Sequence, residues 1–350
     1  MIDEVATKIA GRIPISRFEA AQLFIEASDD ELIKLASSSR GLRHPVDQAT
    51  YVIMAIVNYT NICVAKCDYC AFYRLPHQEG TYLLSPEQIF ERVDKVVALG
   101  GTLVGFNGGF HPKLRIQDYA EIFSKVRERY GDRIEFYGMT VAEFIFACKV
   151  SKLDYASGAR ILKDMGSRWV TGGGAEILDD GFRRRHSPGK GTVSEYLKAQ
   201  RALVDCGLGS TATMVIGFDE TLEERLNHLE TLRSFQESVN CRLPSFLCWT
   251  YKPYNTELGG VEITTKEYLR WLAICRIYLY NFNHIRCSVL TQNQDALQGL
   301  RYGADDFDLP TEDEVTQKAG ATISLDFEKI LNTARIQGFT PVHRAPFSPS

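Results

Sequence analysis

Short apolar segments alternate with amphipathic helical patterns along most of this chain, and no other feature constrains its fold as strongly. Residues 51–57 and 103–106 are the first two strand-like segments. Between them, Ser85 is followed by a proline and then by Gln88, which predicts a helix that begins there and reaches Leu99. Repetition of strand and helix over this length predicts a parallel sheet that closes into a TIM-type α/β barrel.

The same alternation of apolar segments and helical patterns predicts where the remaining strands lie. Further strands are expected at residues 134–137, 168–170, 210–216, 245–249 and 285–290. These segments give a core of six βα units, and its completion to eight is left open. Residues 310–326 are predicted to be acidic and irregular. The chain is divided into an N-terminal helical cap (1–50), the barrel with C-terminal elements (51–340) and a mobile tail (341–350).

The composition is that of an ordinary globular protein. The 350 residues are 45% hydrophobic and 24% charged, with a formal net charge of −4. This charge gives no reason to expect nucleic acid or a membrane as partner, and no secretion signal or long apolar span is recognised. Six of the nine cysteines stand singly among apolar residues, which predicts free thiols in a reducing cytoplasm.

Three cysteines follow the first predicted strand in the string Cys63-Val-Ala-Lys-Cys67-Asp-Tyr-Cys70. Their thiolates can converge on one metal centre, yet tetrahedral zinc and a fully protein-ligated iron–sulfur cubane each take four ligands. His77 is the nearest candidate for a fourth ligand, and it lacks the paired spacing of zinc sites. The pattern favours a metal cluster with one open vertex, and an iron–sulfur carrier or a zinc-binding protein is the non-enzymatic alternative.

Glycines and polar residues follow other predicted strands, at the carboxyl ends where barrel enzymes carry their chemistry. Asn107-Gly108-Gly109 follows the second strand, Gly172-Gly-Gly-Ala-Glu176 the fourth, and Gly217-Phe-Asp-Glu220 the fifth. Each string also has a plainer interpretation. The glycines could end strands or form turns, Glu176 could be a solvated loop residue, and Glu220 could be the acidic start of a helix.

The CxxxCxxC spacing, with Tyr69 just before the third cysteine and a strand before the first, resembles the radical S-adenosylmethionine (SAM) superfamily. The resemblance implies that Cys63, Cys67 and Cys70 hold three irons of a [4Fe–4S] cluster and that SAM binds the fourth. It also implies a SAM site on the loops that follow the strands. The residues assigned to that site are Tyr69, Asn107, Gly108, Gly109, Gly173, Glu176, Arg185, Lys190, Gly217 and Glu220.

Several of these residues have separate roles under this resemblance. Gly108 and Gly109 would let the backbone approach the methionine end of SAM, and Glu176 would accept hydrogen bonds from the ribose hydroxyls. One of Arg185, Ser187 or Lys190 would pair with the SAM carboxylate. Tyr69, Gly217 and Glu220 would lie around the adenine.

The strings Asn58-Tyr-Thr-Asn61 and Gly303-Ala-Asp-Asp-Phe307 are similar to the subgroup that contains the menaquinone enzymes of the futalosine route and deazaflavin (FO) synthase. This similarity implies a 5′-deoxyadenosyl radical that takes the C4′ hydrogen of dehypoxanthine futalosine, a nucleoside-like substrate. The ribose carbon would then bond to the benzoate ring. Flavodoxin or ferredoxin would supply the electron, and reactions of the aminofutalosine synthase or FO synthase type are the alternatives.

The cyclisation ends with the loss of a proton, for which His111, Tyr137 and Glu143 are the candidate acceptors. The benzoate carboxylate also calls for a cation, and Arg74 or Lys252 is suggested. The chain departs from the usual pattern of the subgroup at three places near the expected pocket, which are Asn107, Thr171 and residues 249–252.

Overall fold

The computed structural model describes residues 1–347, and a sheet of ten parallel strands forms its centre. The strands are β1 Gln48–Val57, β2 Leu103–Phe106, β3 Glu135–Thr140, β4 Trp169–Thr171, β5 Gly209–Ser210, β6 Ala212–Ile216, β7 Ser245–Thr250, β8 His284–Cys287, β9 Asp306–Asp313 and β10 Thr340–His343. The helices are α1 Ile2–Ala10, α2 Arg17–Glu26, α3 Asp29–Gly41, α4 Pro86–Ala98, α5 Ile116–Tyr130, α6 Val141–Ser151, α7 Tyr155–Asp164, α8 Asp180–His186, α9 Val193–Asp205, α10 Leu222–Ser238, α11 Thr265–Tyr278, α12 Val289–Gln292, α13 Glu314–Lys318 and α14 Phe327–Ile336. No helix within residues 1–347 is long and apolar enough to cross a membrane.

Helices begin where the sequence supplies caps. Ser85 Oγ accepts a hydrogen bond from the backbone N–H of Gln88, whose side chain accepts one from the backbone N–H of Ser85 at 2.9 Å. The helix α4 therefore starts at Pro86, as predicted. Thr221 and Glu224 form the same reciprocal pair at the start of α10. Helices α1–α3 occupy the region that is predicted to be helical.

The sheet closes into a ring. Its strand order is β5-β4-β3-β2-β1-β9-β8-β7-β6, and β5 and β6 are separated in the chain only by Thr211. Because β5 pairs with β4 and β6 pairs with β7, the two ends of this path meet at Thr211. Residues 209–216 thus act as one strand of an eight-stranded parallel barrel. The predicted TIM-type fold is confirmed, and the open question of six or eight strands is answered in favour of eight.

The prediction that residues 310–326 are irregular is wrong for their first part. Asp306–Asp313 is β9, which lies between β1 and β8 and closes the barrel. Acidic residues at alternate positions and Pro310 hide the apolar pattern of a buried strand. The acidic side chains are tolerated because they face cations, such as Arg286 on β8. The predicted strand 285–290 ends at Cys287 and continues as α12.

The prediction of a mobile tail from residue 341 is also wrong for its first residues. Thr340–His343 is β10, which pairs with Gln48–Tyr51 at the start of β1. Arg344 then binds both carboxylate oxygens of Asp306 at 2.7 Å. Residues 348–350 lie outside the described part of the chain.

Asp305 forms an ion cluster at the strand-start end of the barrel. Its carboxylate accepts hydrogen bonds from Arg276, from His284 Nδ1 at 2.5 Å and from the backbone N–H of Ile285 at 2.9 Å. Burial alone raises the pKa of this carboxyl, but Arg276 and the two histidines, His284 and His44, outweigh burial and lower the pKa of Asp305 to about 2. The cluster ties α11 to the sheet.

The substitution Asp305→Asn is expected to remove an acid-sensitive part of the stability. Because the pKa of about 2 in the folded chain lies below the ordinary 3.8, the ionised carboxylate stabilises the fold above that ordinary value. This contribution, roughly 2 kcal/mol, is lost as the pH falls through the folded pKa. Urea unfolding at a series of pH values should show a steeper loss of unfolding free energy in acid for the wild type than for the variant. Equal slopes would contradict the ion-pair role.

Candidate active site

A cavity of about 270 Å³ lies inside the barrel. Side chains from alternate positions of the strands line it, including Met54 and Ile56 of β1 and Ser245, Leu247 and Trp249 of β7. This alternation follows from the strand geometry, which points successive side chains to opposite faces. The loops that follow β1, β2 and β4 contribute the rest of the wall near the cysteines.

All three cysteines of the triplet line this cavity, as free thiols. The backbone N–H of Cys63 donates to the carbonyl of Arg74, and the backbone N–H of Cys70 donates to the carbonyl of Cys67, so the loop is held by its own backbone. Burial raises the pKa of Cys67 to about 12, although Lys190 acts in the opposite direction. A thiol in this environment loses its proton when a metal binds it.

The number of thiols favours one kind of metal centre over the other. Structural zinc takes four protein ligands, and the triplet supplies three. Within residues 1–347, the group of three possible ligands whose ligand atoms lie within 4.8 Å of one another is His44, His284 and Asp305, away from the triplet. Three thiols suit a polynuclear cluster, in which each sulfur binds a different iron and one iron is left for another ligand.

Gly108 and Gly109 line the cavity beside Asn107, as predicted, but the structure also gives a reason for glycine that the sequence does not show. A Cβ atom on Gly109 would lie 2.3 Å from the carbonyl oxygen of Ile62 and 2.7 Å from Cβ of Cys63. A Cβ atom on Gly108 would lie 2.7 Å from the ring of Tyr59. The absent side chains thus allow the loop after β2 to pack directly against the cysteine loop.

The three glycines at residues 172–174 are explained in the same way. Cβ atoms there would lie 2.1 Å from the carbonyl oxygen of Thr211, 2.6 Å from Cγ2 of Thr140 and 2.2 Å from Cβ of Ala142, in that order. The loop after β4 is therefore pressed between the β3–α6 turn and the β5–β6 junction. Gly173 and Gly174 line the cavity, and Glu176 follows with a positive φ of 40°.

Glu176, Lys190 and Tyr69 form the polar side of the cavity near the cysteines. Lys190 Nζ donates to Glu176 Oε1 at 2.8 Å and lies 5.4 Å from the centre of the Tyr69 ring. Burial alone would lower the pKa of Lys190, but the Glu176 carboxylate outweighs burial, so the pKa is raised and the amine stays charged. Glu176 Oε2 is buried with no hydrogen-bond partner in the described part of the chain. A buried oxygen of this kind calls for a ligand that donates to it.

Three of the residues assigned to the SAM site do not line the cavity. Arg185 is exposed and binds Glu224 at 2.9 Å, at the start of α10. Glu220 Oε1 accepts hydrogen bonds from Arg225 Nε at 2.7 Å and from the backbone N–H of Gly217 at 2.8 Å. These contacts fix the turn that carries Phe218, which does line the cavity. Arg185, Gly217 and Glu220 therefore lie outside the cavity, next to residues that form its wall.

The three candidate proton acceptors differ in their position relative to the cavity. His111 is buried outside the cavity wall, where its Nδ1 accepts a hydrogen bond from the backbone N–H of Lys113. Glu143 lines the cavity, but its oxygens accept hydrogen bonds from the hydroxyl of Tyr59, the backbone N–H of Gly108 at 2.8 Å and both donors of Thr140. Tyr137 lines the cavity as well, and burial raises its pKa.

The proton-acceptor role stays a prediction for all three residues, and their surroundings differ. Glu143 is the capping residue of α6 and ties the loop after β2 to that helix. Burial raises its pKa, and each of its two carboxylate oxygens already accepts two hydrogen bonds. Tyr137 stays protonated near neutral pH, which makes it a hydrogen-bond donor in the cavity.

Four charged residues of the cavity wall were missed by the sequence reasoning, namely Arg286 on β8 and Asp308, Glu312 and Asp313 on β9. Arg286 and Asp308 each stand alone between apolar residues of a short strand, in Ile285-Arg286-Cys287 and Phe307-Asp308-Leu309. A single charge at an inward position of a buried strand is a usable indication of a functional residue. Asp308 was overlooked because β9 was not recognised as a strand, whereas Arg286 lies within the predicted strand 285–290.

The fold and the cavity define a class of protein, an α/β barrel with three free thiols at one end of its cavity that could hold a metal cluster. Residues 57–232 match the radical SAM superfamily, and residues 242–347 match the C-terminal region of the CofH/MqnC proteins. The chain belongs to the radical SAM superfamily, which implies a [4Fe–4S] cluster and SAM as cofactors. The three thiols and the free oxygen of Glu176 fit these groups.

Known proteins resemble the chain over nearly its whole length. It is 33% identical to the cyclic dehypoxanthine futalosine synthase of Halalkalibacterium halodurans, over 98% of this chain and 93% of the relative. It is 30% identical to the aminodeoxyfutalosine synthase of Thermus thermophilus, over 93% of this chain and 90% of the relative. Its fold is similar to that of methylornithine synthase (PylB), with a TM-score of 0.74, 15% identity and 97% of each chain covered.

Proposed function

We propose that this chain cyclises dehypoxanthine futalosine in a futalosine-type route to menaquinone. The observation that carries the proposal is the 33% identity to a cyclic dehypoxanthine futalosine synthase over 98% of the chain. The reaction replaces a C–H bond of ribose C4′ and a C–H bond of the benzoate ring with a carbon–carbon bond. A nucleoside-like substrate therefore has to lie in the cavity with its C4′ near the cofactor end.

The residues at the cysteine end would hold the cofactors. Cys63, Cys67 and Cys70 would bind three irons of the cluster, and Glu176 and Lys190 would bind polar groups of SAM. When bound, the cluster and SAM supply the reductive radical chemistry that removes a substrate hydrogen. Tyr69 and Asn107 complete the proposed SAM site, since both line the cavity next to the cysteines.

The barrel itself would position the substrate and exclude water. Leu247, Trp249 and Phe218 give the cavity an apolar wall, which protects a reactive carbon centre from solvent. Tyr137 would donate a hydrogen bond to the substrate in its neutral form. A low-potential flavodoxin or ferredoxin is the expected electron donor, and the nine free cysteines are consistent with a reducing cytoplasm.

The second candidate is adduct formation of the aminofutalosine synthase type, which the 30% identity to an aminodeoxyfutalosine synthase favours. The two reactions are separated by incubating anaerobically reconstituted protein with SAM, dithionite and either dehypoxanthine futalosine or an enolpyruvyl benzoate. We expect consumption of dehypoxanthine futalosine and formation of the cyclised product, detected by mass spectrometry. Adduct formation from the enolpyruvyl benzoate, with dehypoxanthine futalosine unchanged, would establish the second candidate instead.

A spectroscopic test addresses the cofactors independently of the substrate. The reduced cluster should give an electron paramagnetic resonance spectrum that changes when SAM is added, because one iron is open to it. A spectrum that SAM leaves unchanged, or stoichiometric zinc without iron, would contradict the proposal at its first step.

A further inference from the structure

A bulge near the end of β9 turns Asp313 toward the cavity. Met54 of β1 is in register with Pro310, and Ile56 is in register with Asp313, so two steps along β1 correspond to three along β9. All four residues line the cavity. Without the extra residue, the alternation of side chains along a strand would point position 313 to the face opposite Pro310. Bulges that change the direction of a side chain are common at the rims of barrels and next to active sites.

Asp313 is a buried carboxylate whose hydrogen-bond partners are all neutral. The residue is 3% exposed. Its Oδ1 accepts a hydrogen bond from the backbone N–H of Val315 at 3.3 Å, and its Oδ2 accepts one from the hydroxyl of Thr316 at 2.7 Å. A carboxylate offers about four acceptor positions, so Asp313 keeps capacity for a further donor on the cavity side.

The other carboxylates of the cavity wall are already bound to partners. Three of them form ion pairs, which are Glu176 with Lys190, Asp308 with Arg286 and Glu312 with Arg92. The fourth, Glu143, accepts four hydrogen bonds. Among the described residues, Asp313 is the cavity carboxylate that has neither a cationic partner nor a full set of donors.

The charged groups on the elements around Asp313 are paired with one another. Glu312 on β9 binds Arg92 of α4, and Glu314 on α13 binds Lys318 at 3.0 Å and the hydroxyl of Tyr82 at 2.7 Å. No ion pair therefore competes for the carboxylate of Asp313.

The charge state of Asp313 suits a group that takes up a proton. Burial raises the pKa of Asp313 to about 6, and the neutral groups of Thr316, Val315 and Asn58 offset burial only in part. The carboxylate is therefore mostly ionised at neutral pH. A base is most effective when its pKa lies close to the working pH.

The proposed cyclisation needs a proton acceptor in this cavity. When ribose C4′ has bonded to the benzoate ring, the attacked ring carbon still carries its hydrogen and the ring is a radical. Aromaticity returns when this C–H bond breaks, one electron leaves the ring and the proton passes to a base. Because Val315, Thr316 and Ala319 of α13 cover the cavity beside Asp313, an acceptor on the wall is available where bulk water is excluded.

We propose that Asp313 is the catalytic base that accepts this ring proton. The electron passes to the oxidised form of the electron carrier, which is the class of partner that the proposed function already requires. Proton and electron are then both accounted for, and the electron that started the reaction is returned. The role of Asp313 rests on the proposed function, since it concerns the last step of the cyclisation.

The test separates removal of the C4′ hydrogen from loss of the ring proton. Asp313→Asn keeps the cap of α13, because asparagine is as good an N-cap as aspartate, but it cannot take up the proton. In a single turnover with C4′-deuterated dehypoxanthine futalosine, the variant should transfer deuterium to 5′-deoxyadenosine at a rate close to that of the wild type. The yield of cyclised product should fall by about 100-fold. Mass spectrometry measures both products, and their ratio is the readout.

A second readout uses dehypoxanthine futalosine with deuterium at the ring position that loses its hydrogen. Without the base, cleavage of the ring C–D bond becomes the slow step. Product formation by Asp313→Asn should therefore show a larger deuterium isotope effect than product formation by the wild type. A residue that only holds α13 in place would lower deuterium transfer and cyclisation together and would leave the isotope effect unchanged.

Two further variants complete the test. Asp326→Asn is the matched control, since Asp326 caps α14 by accepting a hydrogen bond from the backbone N–H of Lys329 at 3.1 Å and lies outside the cavity wall. It should leave the product ratio and the isotope effect unchanged. Asp313→Ser also keeps a capping side chain and should reproduce the altered ratio of Asp313→Asn. Circular dichroism and iron content confirm that each variant folds and binds its cluster.

The outcomes distinguish the role of Asp313 from the proposed function. Cyclisation by Asp313→Asn with the product ratio of the wild type would overturn the role of Asp313 and leave the proposed function standing. An equal loss of deuterium transfer and cyclisation in both Asp313 variants would also overturn that role. A wild type that removes no hydrogen from the nucleoside would overturn the proposed function, and the role of Asp313 with it.

Discussion

Replacing Cys67 with alanine is expected to remove the cluster and the activity together. Cys67 is the buried member of the triplet, and it lines the cavity between two partly exposed cysteines. Without its sulfur, two thiols remain, too few to hold a cluster that already lacks a fourth protein ligand. Iron content after anaerobic reconstitution should fall to the background level. Product formation should decrease by at least about 100-fold. The loss of a residue that only supports a metal ligand already lowers metal affinity or activity by about 10- to 100-fold.

Cys241→Ala is the matched control for this experiment. Cys241 is exposed and lies outside the cavity wall, so its removal should change neither the iron content nor the rate. Turnover that persists in Cys67→Ala with the iron retained would contradict the assignment of the triplet as the cluster ligands. Loss of iron in both variants would indicate a defect in reconstitution, and a repeat with the Cys63→Ala and Cys70→Ala variants would locate the ligands.

A single methyl group at Gly109 should have an effect almost as large. The added Cβ would lie 2.3 Å from the carbonyl oxygen of Ile62 and 2.7 Å from Cβ of Cys63, and neither atom belongs to a flexible side chain end. The cysteine loop must therefore move away from the loop after β2. Overpacking of this kind costs about 1–3 kcal/mol of folding stability. The larger consequence is chemical, because the displaced Cys63 can no longer share a cluster with its neighbours.

Gly105→Ala provides the comparison, since it places the same methyl group on β2, four residues before Gly109. A Cβ there meets its nearest neighbour, Cγ1 of Ile56, at 3.6 Å, which is an ordinary contact. Iron content and thermal unfolding of both variants should be measured side by side. We expect Gly105→Ala to keep its iron and Gly109→Ala to lose most of it. Full iron loading of Gly109→Ala would show that the cysteine loop tolerates displacement.

The parts of the fold that depend on local pattern could be predicted from the sequence. Capping residues such as Ser85 and Thr221 mark helix starts because their bonds join residues only three positions apart. The strand β9 could not be found in this way, since Asp306 and Asp308 replace the apolar residues that identify a buried strand. Their charges are compensated by Arg286 and Arg344, and that compensation depends on which strands are neighbours in the barrel.

The candidate site also has a part that the sequence predicts and a part that depends on which residues are neighbours in the fold. The cysteines, Glu176 and Lys190 meet at one cavity because they lie on loops at one end of a parallel barrel, which the order of elements predicts. The same reasoning assigns Arg185 and Glu220 to the SAM site. In the structure, Arg185 forms an ion pair with Glu224, and Glu220 forms one with Arg225. Whether a charged side chain binds a ligand or a neighbouring residue depends on the direction in which each side chain points. The spacing of residues along the sequence does not give that direction.

The pairing of β1 with β9 has a consequence for biosynthesis. Residues 306–313 lie between β1 and β8, so the barrel cannot close until these residues have left the ribosome. The cysteine loop at residues 63–70 is made long before that point. We therefore expect a period during translation in which these thiols are open to solvent and to free metal ions, so iron delivery and protection from oxidation matter most for the nascent chain.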